Sequence, residues 1–326
     1  MKKKYTLGIV GVRGYVGREL LALLMSKTEI ELEWVSSRQL KGKPLCALLT
    51  SDDNFKFEPT SNDHYFRKIT IDELSPENVA NKNTDIVILA LPNGLAEPYV
   101  SELERNSNCQ LVIDLSADYR FDKKWNYSIP ELTDLNQFSK GSLTKISNPG
   151  CYATAMQLAI APLFSDITGS VNCFGISGYS GAGTSPCENN DPIKLKNNIL
   201  PYSLLGHIHE KEVSHQMGLP VRFSPHVAEF FRGISMTVQL ELEHSWKLSE
   251  IIQIFETFYK NYPLVKISES IPNIQQVINT NYCMIGGFKL SEGGRQLSLV
   301  SCLDNLLKGA ASQALQNIYL ALNIEF

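Results

Sequence analysis

Apolar positions in the first half of the chain fall into short β-branched runs separated by stretches with helical spacing. "KYTLGIVG", "VGRELLALLMSK" and "IELEWVSS" read strand, helix, strand, and "TDIVILALP", "AEPYVSELERN" and "QLVIDLSA" repeat that order. Strands alternating with helices predict a parallel sheet covered by helices on both faces. Residues 37–83 are polar and irregular, and the pattern orders no elements there. After residue 151 the periodicity changes. "SVNCFGISGYSGAG", "GISMTVQLELE" and "MIGGFKLSEGGRQLSLVSCL" alternate like long strands of a mixed or antiparallel sheet, with one helix, "LSEIIQIFETFYKNY", among them. The chain closes in "NLLKGAASQALQNIYLAL", a helix with small residues on one face. The fold class is therefore α/β. A Rossmann-type nucleotide-binding domain is expected over 1–148, and an α+β domain for catalysis and oligomerisation, with a mixed sheet, over 149–304. A C-terminal helix, 305–326, is expected to return to the first domain.

Composition narrows the partners. The chain has 326 residues, room for two cores, and its 43% hydrophobic and 20% charged content is that of an ordinary soluble protein. A net charge of −4 provides no footprint for nucleic acid or an anionic membrane, so neither is expected as a partner. "MKKKYTLGIVGVRG" imitates a signal peptide, but Arg13 and the spaced glycines interrupt its apolar run and no cleavage site follows. No stretch reaches the length of a membrane span. The seven cysteines are scattered with no C-x-x-C, which speaks against a disulfide framework or zinc site and for a reducing cytoplasm.

Gly8, Gly11, Gly14 and Gly17 punctuate "GIVGVRGYVGREL" where the first strand turns into the first helix. Glycines there let backbone N–H groups approach a pyrophosphate that the helix N-terminus favours electrostatically. The spacing, G-x-x-G-x-x-G, departs from the usual G-x-G-x-x-G. Gly11, Arg13, Gly14, Tyr15 and Val16, with Pro92 after a later strand, are the candidate cofactor contacts. The second strand ends in Ser36, Ser37 and Arg38 rather than an acidic residue. Two hydroxyls and a guanidinium suit a 2′-phosphate, which favours NADP over NAD.

"SNPGCYATA" sets Cys151 on the first turn of an apolar helix, directly after Pro149-Gly150. A helix N-terminus stabilises a thiolate, so this placement suits a nucleophile, whereas Cys46, Cys109, Cys173, Cys283 and Cys302 read as inert packing. A thiolate needs a proton-transfer partner, and "LLGHIHEKEVSH" holds His207, His209 and His215 of the chain's six histidines. Two readings stay open. As a strand, His207 and His209 share a face and could take a metal, although no further ligands complete a site. As a helix, Glu212 could orient a histidine one turn back. Arg120 in "DLSADYRF" and Arg232 in "EFFRGIS" are candidate anion contacts. The loop from Ser177 to Pro186 is of the kind that wraps backbone donors around an anion, with Ser177 and Gly178 as candidate cofactor contacts and Ser180 and Gly181 as candidate substrate contacts.

With "GVRGYVG", "DLSADYRF", "SNPGCYATA", "SGYSGAG", "HIHEKE" and "DNLLKGAASQALQN" in place, the chain resembles the N-acetyl-gamma-glutamyl-phosphate reductase family of arginine biosynthesis from end to end. The wider group is the aspartate-semialdehyde dehydrogenase-like superfamily, and it includes reductases of carrier-bound aminoadipyl phosphate. The resemblance implies NADPH-dependent reduction of an acyl phosphate through a thioester on Cys151. His207 would be the acid/base, Glu212 would orient it, and His209 and Arg120 would bind substrate. It assigns Ser36 to Arg38 to the 2′-phosphate and sets Asn305 and Lys308 beside the nicotinamide. A small-molecule substrate and phosphate follow in the same way, no metal is expected for want of further ligands, and the small-residue terminal helix and long second-domain strands suggest self-association as a homodimer or homotetramer. Three departures stand out: Ile208 where the family has H-R-H, Asn93 where it has A-L-P-H-G, and "PHVAEFFRGI", which lacks a second proline. Other acyl-phosphate reductases remain the rival within the enzymes. A non-catalytic NADP-sensing regulator, which needs no Cys151, is the rival outside them.

Overall fold

The alternation of apolar residues along β1 (Tyr5–Val10) assigns its two faces. Leu7 and Ile9 enter one core cluster and Val10 the other. This is a computed structural model, described over residues 4–49, 55, 66, 68–134, 138 and 143–324, and it contains two compact units. One unit comprises Met1–Pro149 with Ala310–Phe326, and the other Gly150–Gly309.

In the first unit, β1 leads through α1 (Tyr15–Met25) to β2 (Ile30–Ser36). Two short helices, α2 (Leu45–Leu49) and α3 (Pro76–Ala80), precede β3 (Ile86–Leu89), α4 (Glu97–Asn106), β4 (Leu111–Asp114), β5 (Asn126–Tyr127) and β6 (Thr144–Ser147). The order is β2-β1-β3-β4-β6-β5, and every pairing is parallel. β3 and β4 are buried at every residue, as continuous apolar runs must be when helices cover both faces of a sheet. Ile86 and Ile88 join Leu20, Leu21 and Leu24 of α1 on one face, while Val87 and Leu89 meet Val100 and Leu103 of α4 on the other. Each such side chain contributes about 1.5–3 kcal/mol of burial. The chain leaves β1 to one side for β2 and returns on the other for β3. That reversal opens a crevice at the carboxyl ends of β1 and β3.

The second unit opens with α5 (Cys151–Ile160), buried at every residue after the first, and continues into β7 (Ile167–Gly178). There follow α6 (Pro192–Leu195), β8 (Ile199–Pro201), α7 (Ile208–Met217), β9 (Val221–Ala228), β10 (Ile234–Leu242) and α8 (Leu248–Tyr259), then β11 (Val265–Ser268), β12 (Cys283–Leu290) and β13 (Gln296–Leu303). The sheet is mixed, in the order β11-β12-β13-β10-β7-β9-β8. α5 packs against β10, β13 and α7. Met236, Val238, Leu240 and Leu242 alternate inward along β10, the period-2 pattern of "ISMTVQLEL".

A π-helical turn, Leu307–Ala311, leads into α9 (Ser312–Ala321), which packs on α1 and β4 of the first unit. Ala311, Ala314, Leu315 and Ile318 complete the cluster around Leu7 and Ile9, and the small residues allow the close approach. Two strand expectations change in detail. The run "SVNCFGISGYSGAG" ends as a strand at Gly178, because Tyr179–Ala182 turn into a 3₁₀ helix. "MIGGFKLSEGGRQLSLVSCL" is a hairpin of β12 and β13, reversed at Gly294, whose φ of +70° favours glycine. Among the described residues no helix is long and apolar enough to cross a membrane.

Candidate active site

The glycine turn after β1 has the shape its sequence predicts. Gly11 has a φ of +90°, and a Cβ there would stand 2.2 Å from the Ala90 carbonyl oxygen at the end of β3. Gly17 lies as tightly against Val12, which brings α1 down onto the strand. Gly14 caps α1 without a side-chain bond, a Cβ on it would meet the Gly11 carbonyl oxygen at an ordinary 3.8 Å, and no acidic residue occupies the first turn of the helix. The N–H groups of Gly11 and Val12 are held by the Ser36 carbonyl and that of Gly14 by the Gly11 carbonyl, so it is the N-terminus of α1, without a capping side chain, that fits a pyrophosphate. Arg13, Tyr15 and Val16 are partly buried along it, and Pro92 is exposed after β3. At the end of β2 the three expected phosphate contacts separate. Ser36 is buried and its Oγ accepts the Leu74 N–H at 3.0 Å, so that hydroxyl is engaged by the fold. Ser37 is buried at the same edge. Arg38 projects with 89% of its side chain exposed, and it shares Glu73 with Lys41. Lys41 and Glu73 lie in the stretch where the sequence pattern resolved nothing.

Arg120, also in this unit, is buried. It donates from Nε to the Asn148 carbonyl and from Nη2 to the Leu115 carbonyl, each at 3.2 Å. It thereby holds the residue just before Pro149-Gly150. Asp114 organises the same turn, receiving the Ser116 hydroxyl at 2.6 Å; burial raises its carboxyl to about 6 against those hydrogen bonds. The departure at Asn93 has a local function: its Oδ1 accepts the Ala117 N–H at 3.0 Å, while Asp118 accepts from Gly94 and Ala96. The two loops that flank the crevice are thus tied to each other.

In the second unit, Cys151 is the first residue of α5, after a Gly150 cap with no side-chain bond. The positive end of the helix dipole falls at this first turn, a placement that favours a thiolate. Gly309 stands directly against it: a Cβ there would lie 2.7 Å from Cys151 Cβ. Nothing in the pattern of "DNLLKGAASQALQN" marks Gly309 for this place. The other cysteines with shifted thiols are raised by burial, Cys109 to about 12 and Cys302 to about 11, which makes them inert at neutral pH.

The histidine segment takes its helical form. His207 is the N-cap of α7, and its Nδ1 accepts the His209 N–H at 3.1 Å. Tyr152, Tyr202, Phe223 and His209 present their rings to it at centroid distances of 6.2, 5.5, 5.4 and 4.9 Å. Burial in this aromatic box, against a smaller opposing effect of Glu210, lowers His207 to about 4. Glu212 is fully buried and accepts the Gly150 N–H at 2.9 Å, which joins α7 to the cap of the cysteine helix. Among the described residues no group of three His, Cys, Asp or Glu side chains could hold a metal ion.

Arg232 and Asp304 form a buried ion pair, Nε to Oδ2 at 2.7 Å, with Nη2 donating to Oδ1 at 3.1 Å. Asp304 also accepts from the backbone of Asn279, Leu306 and Leu307, a hub that sequence reading missed. The serine-glycine loop differs from its expected form. Gly178, Tyr179 and Ser180 donate their N–H groups to the carbonyls of Gly233, Phe230 and Phe231, so these donors hold the loop instead of encircling an anion. Ser177 Oγ donates to the Gly178 carbonyl, and Gly181 is exposed. Asn305 bridges the two segments, donating to Ser180 Oγ at 2.9 Å and accepting from Gly233 N at 2.7 Å. Lys308, three residues further on, is fully buried.

Comparison with known proteins bears on the fold and the family. Residues 6–138 match the semialdehyde dehydrogenase NAD binding domain, and residues 151–305 the semialdehyde dehydrogenase dimerisation domain. The N-acetyl-gamma-glutamyl-phosphate reductase of Xanthomonas euvesicatoria is 46% identical over 317 residues, covering 97% of this chain and 95% of that protein. The reductase of the same name from Xylella fastidiosa is 46% identical over 321 residues, covering 98% and 93%. Among solved structures, aspartate semialdehyde dehydrogenase II of Vibrio cholerae superposes with a TM-score of 0.75 at 15% identity, over 99% of this chain and 100% of that one. The Candida albicans aspartate semialdehyde dehydrogenase with NADP gives 0.74 at 16% identity, over 98% and 99%. At such identities the structures establish the shared fold. The near full-length sequence identity places the chain closer than that: it belongs to the N-acetyl-gamma-glutamyl-phosphate reductase family.

Proposed function

We propose that this protein reduces N-acetyl-gamma-glutamyl phosphate with NADPH, yielding N-acetyl-glutamate semialdehyde and phosphate, as a cytoplasmic enzyme of arginine biosynthesis. The observation that carries the chemistry is Cys151, first residue of a buried helix with an uncapped N-terminus, cleared by Gly309 and reached by Glu212 through its cap. The shared name of the relatives supplies the substrate.

The Cys151 thiolate attacks the acyl carbon and phosphate departs, leaving a thioester on the sulfur. N–H groups of the first turn of α5 stabilise the oxyanion of this step. Gly11, Arg13, Gly14, Tyr15 and Val16 would hold the dinucleotide, with Ser37 and Arg38 at its 2′-phosphate. When bound, NADPH supplies the hydride that reduces the thioester. His207 attends the acyl oxygen, and collapse of the tetrahedral adduct returns the thiolate and releases the aldehyde. Arg120 and Arg232 act by fixing the turns that carry the site, since both guanidiniums are held by protein acceptors. The dimerisation-domain match supports a homodimer or homotetramer.

The test is phosphate-dependent reduction of NADP in the reverse direction, with N-acetyl-glutamate semialdehyde and aspartate semialdehyde side by side. Strong preference for the N-acetylated aldehyde is expected. Preference for aspartate semialdehyde would keep the chemistry and overturn the substrate. Activity with neither would overturn this substrate and point to a carrier-bound acyl phosphate or to the non-catalytic regulator.

A further inference from the structure

We propose that Glu73 sets the cofactor preference of this protein by opposing a 2′-phosphate at the cation pair that receives it, Arg38 and Lys41. The inference rests on the NADPH reading above and adds two residues to it, a second contact and an opponent.

Two segments build this corner of the first unit. After β2 the chain turns through a 3₁₀ helix, Arg38–Leu40, and leaves it at Gly42, whose φ of +79° favours glycine. Residues 71–74 run alongside. Ser37 N donates to the Asp72 carbonyl and Gly42 N to the Ile71 carbonyl, each at 2.8 Å, and Leu74 N donates to Ser36 Oγ at 3.0 Å. These bonds fix both backbones and bring three charged side chains together at the carboxyl end of β2. Arg38 Nε lies 3.6 Å from one Glu73 carboxylate oxygen, and Lys41 Nζ lies 3.5 Å from the other. The neighbouring carboxylate, Asp72, accepts the Glu73 N–H at 2.8 Å.

In an open α/β sheet, the carboxyl end of the second strand is where the adenosine ribose is read. A carboxylate there accepts from a 2′-hydroxyl, and a guanidinium takes a 2′-phosphate. This corner holds both kinds of group. β2 itself ends in Ser36, Ser37 and Arg38, and Glu73 brings the carboxylate from 32 residues beyond Lys41. Two cations and one carboxylate leave a single net positive charge to meet a phosphate of about 1.5–2 negative charges. Glu73 and the phosphate thus compete for the same two donors. All three side chains are exposed, and an exposed ion pair is worth about fivefold at most in an equilibrium, so a phosphate can take both cations from the carboxylate. The repulsion between carboxylate and phosphate remains, and a 2′-hydroxyl does not feel it. Lys41, a point charge with three donors on a flexible stem, offsets that repulsion beside the planar guanidinium of Arg38.

The test is calorimetric titration of the protein with adenosine 2′,5′-bisphosphate and with 5′-AMP, which differ only in the 2′-phosphate. Low ionic strength is used, because salt screens exposed charges over about 10 Å. Wild type should prefer the bisphosphate. Glu73→Gln should bind the bisphosphate about three- to tenfold more tightly, and Lys41→Ala more weakly by about the same factor. Binding of 5′-AMP should change by less than about twofold in either variant, since it carries no charge at the 2′ position. Unchanged or weaker bisphosphate binding in Glu73→Gln would make the carboxylate a mere tether for the cations and overturn the proposal. Lys41→Ala without effect on the bisphosphate overturns it equally. A wild type that does not distinguish the two nucleotides would sink the NADP reading itself, and this inference with it.

Discussion

At the scale of single residues, the site depends on side chains that are absent as much as on those present. Gly309 has no Cβ because Cys151 occupies that space, and the neighbouring Cys151 atoms are helical backbone that cannot move aside cheaply. Gly309→Ala should therefore displace the nucleophile and lower kcat by about 100-fold, since a misplacement near 1 Å has that effect. Cofactor affinity should be unchanged by titration, and an unaltered kcat would remove Gly309 from the site. His207 makes a prediction about acid stability. Its proton binds near pH 6.5 in the unfolded chain and near 4 in the folded one, so the unfolded state binds first as pH falls. Stability from this group is intact above about pH 6.5 and declines below it, by about 3 kcal/mol once pH passes 4. Unfolding curves of His207→Gln should show a shallower acid decline than wild type, and a parallel decline would contradict the shift. Cys151 was legible in the sequence because its electrostatics are local: one turn pair, one helix start. The engagement of Ser36 was not, because its partner Leu74 lies 38 residues away in a stretch without periodicity.

Elements decide what the arginines do. Arg232 sits just before β10 and Asp304 just after β13, strands that pair directly, so the ion pair forms where the two meet. Removing one partner of a buried pair strands the other's charge. Asp304→Ala should lose about 3–5 kcal/mol in denaturant unfolding, and a loss below about 1 kcal/mol would show the pair to be dispensable. At the mouth of the first unit, Arg38 projects from the 3₁₀ turn after β2 into solvent. Arg38→Ala should raise the KM for NADPH about 10- to 100-fold and barely affect NADH, the worth of a charge-assisted contact to the 2′-phosphate. Equal effects on both cofactors would contradict it. The strands of the first sheet were readable because burial on both faces produces unbroken apolar runs. β9 was not: Pro225 interrupts "VRFSPHVA", yet the strand pairs with β7 on one side and β8 on the other. The loop of Ser177 to Pro186 departs from its expected form for a related reason. Its glycines permit close backbone approach, and what approaches is the 230–233 segment of the same chain, with Phe231 lying 2.5 Å from where a Gly178 Cβ would stand.

For the whole molecule, the first unit provides a nucleotide-binding turn and the second a cysteine helix, and the chain enters the second unit one residue before Cys151. Alternating strand and helix patterns made that architecture legible, while the substrate came from motif resemblance and from relatives 46% identical to the chain. Periodicity describes cores, and no hydrophobic pattern encodes an acetyl group. The match to a dimerisation domain leads to an expectation at this scale: light scattering of the purified protein should give two or four times the 36.4 kDa chain mass. A monomer active at nanomolar concentration would contradict it. The central claim is that catalysis passes through an acyl group on Cys151. The most direct measurement mixes enzyme, NADP and N-acetyl-glutamate semialdehyde with phosphate withheld, and follows NADPH together with intact mass. The account predicts a burst of one NADPH per chain and a matching acyl adduct on Cys151, discharged when phosphate is added and absent from Cys151→Ala. Turnover without a burst or adduct, or an adduct that persists in Cys151→Ala, would contradict it.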